Sequence, residues 1–176
     1  MKTRVVEIFT GTRIRVPEHI QRIDSYHTHG WQLRYGKSRM FSDHSNDGSG
    51  ARAALKLAID ELRLRIARLP APSGLRRAIG SNKSSALPVG ISGPIVRSRP
   101  GRNARDASFG VTLPRFGMKP TTRNVYIATE NTYTIDKVKR ALAKAIELRR
   151  NAERAYQAAA TRAKREAARA TKGGLA

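Results

Sequence analysis

Gln32 and Arg34 stand two residues apart in the segment GWQLRYG (30–36), and Gln21 and Arg22 stand side by side in HIQRIDS (19–25). An arginine fork can donate two parallel hydrogen bonds to guanine O6 and N7, and a glutamine or asparagine amide can pair with adenine N6 and N7. Met40, in SRMFSD, adds an apolar contact of comparable reach. Further along the chain Ser92, Thr112, Asn124 and Tyr126 supply hydroxyl and amide groups, flanked by Arg115 and Arg123. Lys37, Arg39, Arg97, Arg99, Arg102, Arg105 and Lys119 are point charges or forks that suit phosphate oxygens, which position a ligand without reading it. The chemistry these residues offer is recognition of flat, polar, anionic surfaces.

Bond-making chemistry has no such support. There are no cysteines, which removes thiolate catalysis, disulfides and Cys-containing zinc sites. His27 and His29 form a His-x-His pair without companion ligands, and His29 is expected beside phosphate rather than metal. DHSNDGSG (43–50) begins like a calcium loop, but the twelfth position is Ala54 instead of a bidentate Glu. Asp43 and Asp47 are therefore expected to shape the turn and the start of the next helix. Tyr156 lacks the Arg-His-Arg surroundings of a recombinase nucleophile, and no nucleophile–base pair or Gly-rich phosphate loop stands out. The sequence predicts neither an enzyme nor a cofactor.

Charge dominates the composition: 35 Lys plus Arg against 13 Asp plus Glu, a formal net of +22. Such an excess repels itself in a compact state unless an anion neutralises it, so nucleic acid is the leading partner and an anionic membrane surface the second. No stretch approaches the roughly 18 apolar residues of a membrane span, and the N-terminus lacks a signal-peptide run. The expected setting is cytoplasmic and nucleoid-associated, with no membrane partner.

Alternating apolar residues around TGT (10–12) predict an N-terminal β-hairpin over residues 1–18. HIQRIDS, GWQLRY and RMFSD read as three strands. Leu55, Ile59, Leu62 and Ile66, with Ala54 and Ala58 beside them, then read as one face of a helix over 51–69. The same order recurs as VGISGPI, FGVTLP, VYIAT and a helix whose ALAKAIE (141–147) matches ALKLAID (54–60). The fold class is α+β: two repeats of a three-stranded antiparallel sheet packed on one helix. Residues 19–69 and 87–150 are the repeats, 70–86 a linker, and 151–176 a basic Ala-rich helical tail. The last helix is expected from residue 134 or 135 to about 170, some 50 Å. Trp31, Leu33, Tyr35 and Phe41 then face the first helix, and Gln21, Gln32, Arg34 and Met40 the free side. In the second repeat Ser92, Gly110, Thr112, Asn124 and Tyr126 take that place.

The ordered motifs HIQRIDS…HGWQLR…FSD…ALKLAIDELR resemble prokaryotic and phage domains of the Apetala-2/ethylene-response-factor type over about 45 residues. The second set resembles the more divergent partner of a tandem pair. The resemblance implies a sheet laid in the major groove of double-stranded DNA. Its contacts fall by position on Gln21, Arg22, Gln32, Arg34 and Met40, and on Ser92, Pro94, Thr112, Asn124 and Tyr126. Neither repeat has the Arg-rich first strand of the plant proteins. Pro114–Thr122 reads as a long insertion, and Gly93-Pro94 as a break in the first strand of the second repeat.

The expected function is sequence-preferring binding of double-stranded DNA, as a transcriptional regulator of phage or mobile-element type. Two alternatives stay open: a nucleoid-like architectural or recombination accessory factor with little base discrimination, and an RNA-binding protein. The C-terminal helix is a candidate surface for a homodimer or another protein.

Overall fold

The computed structural model describes residues 1–75, 78, 85–98, 100, 101 and 103–170. Arg99, Arg102, parts of the 70–86 linker and residues 171–176 of the tail lie outside the described residues. The fold is α+β, with three antiparallel sheets and two long helices among the described residues. The chain divides into two compact units, Met1–Pro72 with Ala160–Ala176, and Ser73–Ala159.

In the first unit β1 (Thr3–Glu7) and β2 (Arg13–Pro17) form a hairpin with Val6 opposite Ile14. β3 (Ile20–Ser25), β4 (Thr28–Leu33) and β5 (Arg39–Ser42) make an antiparallel sheet in that order. α1 (Ala51–Arg68) follows, burying Ala54, Leu55, Ala58, Leu62 and Ile66 at the three- and four-residue spacing of one helical face. Trp31, Leu33 and Tyr35 are fully buried against that face, and Phe41 is partly buried beside them. The Trp31 indole donates to the Ala51 carbonyl at 2.8 Å, so its one polar atom is satisfied inside the core. Gly50 caps α1 because a Cβ there would lie 1.8 Å from the Asp43 carbonyl oxygen. The hairpin contributes Ile8, Ile14 and Val16 to this same core.

The end of the second helix, α2 (Ile135–Ala170), also belongs to this unit from Ala160 onward. Ala160 is buried, Thr161 accepts from the Ala71 amide at 3.1 Å, and Arg165 donates to the Ile66 carbonyl at 3.2 Å. The Met1 ammonium donates to the Ala167 carbonyl at 3.0 Å. Lys164 bonds the Glu18 carboxylate and lies 2.9 Å from His19 Nε2. The tail is thus docked by specific side chains, two of its cations being engaged within the protein. Burial pushes the Glu18 carboxyl up, but the Lys164 ammonium outweighs it and holds the group below its ordinary value. Burial, reinforced by the Lys164 charge, lowers His19 despite Glu18.

Both groups have depressed native values, so both contribute stability that is present above their unfolded values and lost as pH falls through the native ones. Stability of the first unit is therefore expected to fall first below pH 6.5, as His19 protonates, and again below 4.5, as Glu18 does. The check is melting temperature against pH for the wild type and His19→Asn. Asparagine does not titrate and tolerates the left-handed backbone (φ +72°) that His19 adopts. An unchanged upper step in the variant would assign that step elsewhere.

In the second unit β6 (Ile91–Arg97), β7 (Asp106–Arg115) and β8 (Met118–Thr129) form a sheet in that order, and a 3-10 turn at Glu130–Thr132 leads to α2. Phe109, Val111, Val125 and Ile127 pack with Ala141 and Ala145 of α2. The buried Arg149 adds a hydrogen bond to the Thr112 carbonyl and one to Glu153 at 2.6 Å. Gly93-Pro94 does not end β6; the register shifts between Ser92 and Ile95 and the strand continues. Nor is Pro114–Thr122 an inserted loop. Thr112 pairs with Thr122, Leu113 with Thr121 and Arg115 with Met118, so the segment extends a single hairpin.

Among the described residues no helix is long and apolar enough to cross a membrane.

Candidate nucleic-acid interface

In the first unit, Gln21, Gln32 and Met40 occupy one transverse row across β3, β4 and β5. Their parity is opposite to that of Trp31 and Leu33, so α1 does not cover them. Gln21 and Gln32 are half-buried, Met40 is exposed, and Arg34 is exposed just beyond β4. Arg34 Nε donates to Gln32 Oε1 at 2.6 Å. That bond occupies the amide oxygen and steadies the guanidinium, leaving the Gln32 NH₂ and the terminal Arg34 nitrogens as donors to a ligand. Two residues before Gln32 on the same face of β4, Gly30 has no room for a side chain: a Cβ would lie 2.3 Å from the Phe41 carbonyl oxygen and 2.8 Å from Met40 Cε.

Arg22 departs from expectation. It stands opposite Trp31 in the register, on the helix-facing side, with its guanidinium 4.9 Å from the Trp31 ring centre. Asp43, fully buried as a side chain, accepts from Arg22 at 2.5 and 2.9 Å, and Asp24 lies 2.7 Å away. An arginine clamped between two carboxylates under an aromatic ring is a structural ion cluster, so its expected place among the outward contacts is corrected. Burial acts to lower the Arg22 pKa, but both carboxylates outweigh it and raise the net value. Burial likewise acts to raise Asp24, and Arg22 and His29 hold it below the ordinary value.

His29 is half-buried. It is a residue of β4, 2.9 Å from Asp24 Oδ1, with its ring centre 4.1 Å from that of Phe9. Arg39 shares the parity of Phe41, lies over its ring at 5.0 Å and approaches Glu61 at 3.9 Å. Lys37 is exposed in the β4–β5 turn, whose Tyr35 and Lys37 carbonyls accept from Arg65. Asp47 shapes its turn by accepting from the Ser49 amide at 2.9 Å, whereas Asp43 has the larger role just described.

In the second unit Ser92, Gly110 and Asn124 form the corresponding transverse row. Tyr126 is opposite Ser108 and half exposed; Thr112 is exposed opposite Thr122. Arg123 lies opposite the buried Val111, on the other side of the sheet, yet is itself exposed because α2 does not cover that part of β8. Arg97 and Lys119 are exposed, and Arg115 Nε donates to the Lys119 carbonyl at 3.1 Å. Arg105 is paired with Glu130 at 2.9 Å. From Ala107 to Thr129 the sequence contains no carboxylate, so the polar groups that β7 and β8 present along this stretch are hydroxyls, amides and cations.

Sequence reasoning missed Asp24 and Asp43 as the counter-ions of Arg22. Their spacing carries no local signal, because the cluster is made by strand pairing. Comparison with protein-family models, curated proteins and solved structures finds no match to this chain.

Proposed function

We propose that this chain is a nucleic-acid-binding protein built from two sheet–helix modules, each using its uncovered sheet face. More particularly, it is a sequence-preferring binder of double-stranded DNA that lays those faces in the major groove. Occupancy of its site would regulate transcription in a phage or mobile element. The observation that carries this reading is the pair of matched rows, Gln21–Gln32–Met40 and Ser92–Gly110–Asn124, each on the face opposite a helix-covered core. A β-ribbon fits the major groove, and donors such as Arg34 and Gln32 match the acceptors displayed there. The matched strand order supports reading the two segments as a tandem repeat of the Apetala-2/ethylene-response-factor type. Tethering two weak modules raises affinity and lengthens the site through effective concentration.

The test is selection from random duplex DNA at about 150 mM salt, near physiological screening. A two-part enriched motif is expected. Arg34→Ala is expected to relax preference at one position and weaken binding by about 1–3 kcal/mol, the worth of one bidentate base contact. Tight binding without enrichment would favour the architectural alternative, and failure to bind any duplex would favour RNA.

A further inference from the structure

The turn joining β7 and β8 carries two large apolar side chains in the open. Phe116 is 43% exposed and Met118 66% exposed. Single exposed apolar residues are ordinary, but two on one turn, bracketed by Arg115, Lys119 and Arg123, form an apolar point on a cationic collar. The point is pre-organised. Gly117 takes the left-handed conformation (φ +71°) that a tight turn needs, and Arg115 pairs with Met118 to close it. Tyr156 of α2 braces the Phe116 ring edge-on, 5.6 Å between centres at 84°. Every residue of β8 from Met118 to Asn124 is exposed, a run of about 20 Å at the rise of a strand.

We infer that this tip is a wedge that enters duplex DNA from the minor groove, setting Phe116 and Met118 against a base step while Arg115 and Lys119 hold the flanking phosphates. The inference rests on the duplex-DNA reading above and adds to it a second kind of contact. Apolar side chains inserted between base pairs unstack a step and kink the duplex. A groove about 6 Å wide must open to admit a two-stranded tip, so bending accompanies insertion. Pyrimidine–purine steps unstack most easily and are the expected sites. An apolar, basic tip also suits an anionic bilayer. Duplex DNA is favoured because the strand that carries the tip continues directly into Asn124, whose amide can pair with a base edge.

The experiment uses the full chain and a duplex taken from the selection, labelled at both ends for energy transfer and carrying 2-aminopurine at successive steps. The wild type is expected to shorten the end-to-end distance and brighten one step. Phe116→Ala and, separately, Met118→Ala are expected to straighten the duplex and weaken binding roughly tenfold, the scale of one lost base-stacking side chain. Phe116→Leu should keep the bend. Unchanged circular dichroism and melting in the Met118 variant, at a residue that is two-thirds exposed, would show that the fold is intact. A wild-type complex that binds its motif on straight DNA overturns the wedge alone, as does an equal bend in both variants. Tip-dependent binding to phosphatidylserine vesicles without DNA bending overturns it in favour of a membrane contact. Absence of all duplex binding removes the DNA reading and the wedge together.

Discussion

Asp43→Ala is expected to lower the stability of the first unit by about 3 kcal/mol, at the low end of what removing one partner of a buried ion pair costs. The Asp43 side chain is fully buried and that of Arg22 is 5% exposed, so the variant leaves a guanidinium in the core with fewer acceptors than donors. Asp24 keeps its contact and is partly solvated, which limits the loss. The Trp31 ring remains against Arg22, but an aromatic face replaces little of a carboxylate's charge. Urea unfolding followed by tryptophan fluorescence checks this cleanly, because Trp31 is the protein's one tryptophan and sits beside the cluster. The double variant Arg22→Met, Asp43→Leu is expected to recover much of the loss, since an apolar pair carries no stranded charge. A loss below about 1 kcal/mol in the single variant would mean that water already solvates Arg22, contrary to the cluster described.

The periodicities legible in the sequence were those that a single face imposes. Trp31 and Leu33 alternate because one side of β4 is buried, and Leu55, Ala58, Leu62 and Ile66 recur because one side of α1 is. Strand parity also places Gln32 and Ser92 on uncovered faces without any knowledge of the pairing partner. What the sequence hid depends on pairing between segments. Arg22 and Gln21 are neighbours, and composition favours both as ligands; only the register opposite Trp31 turns Arg22 inward toward Asp43. Pro114–Thr122 looks like an insertion because its two prolines and glycine signal a loop. In the fold Pro120 lies on β8, an edge strand, where a missing amide is tolerated. The tail carries only a thin apolar stripe, so periodicity predicts no packing for it. It docks instead through side-chain partners, Lys164 with Glu18 and Thr161 with Ala71, that no periodicity reveals.

Duplex affinity is expected to fall about 10³-fold between 50 and 200 mM salt, the value for roughly six neutralised phosphates. Six to ten phosphate contacts correspond in general to a fall of about 10³–10⁵-fold over that range. The structure narrows this by showing which cations are already committed. Arg22, Arg105 and Lys164 each face a carboxylate, and Arg149 is buried under Thr112 and Glu153. Among the described candidate contacts, Arg34, Lys37, Arg97, Arg115, Lys119 and Arg123 are exposed and form no ion pair with a carboxylate, which makes six. Lys119→Ala and Arg123→Ala should therefore each make the logarithmic salt slope shallower by about 0.9, one phosphate's share, while weakening all sequences alike. Lys164→Met should leave the slope unchanged, because its charge is spent on Glu18 inside the first unit. If Lys164→Met flattens the slope and Lys119→Ala does not, the DNA lies against the docked helix end instead of the β7–β8 hairpin. The exposed sheet of the second unit would then need another ligand.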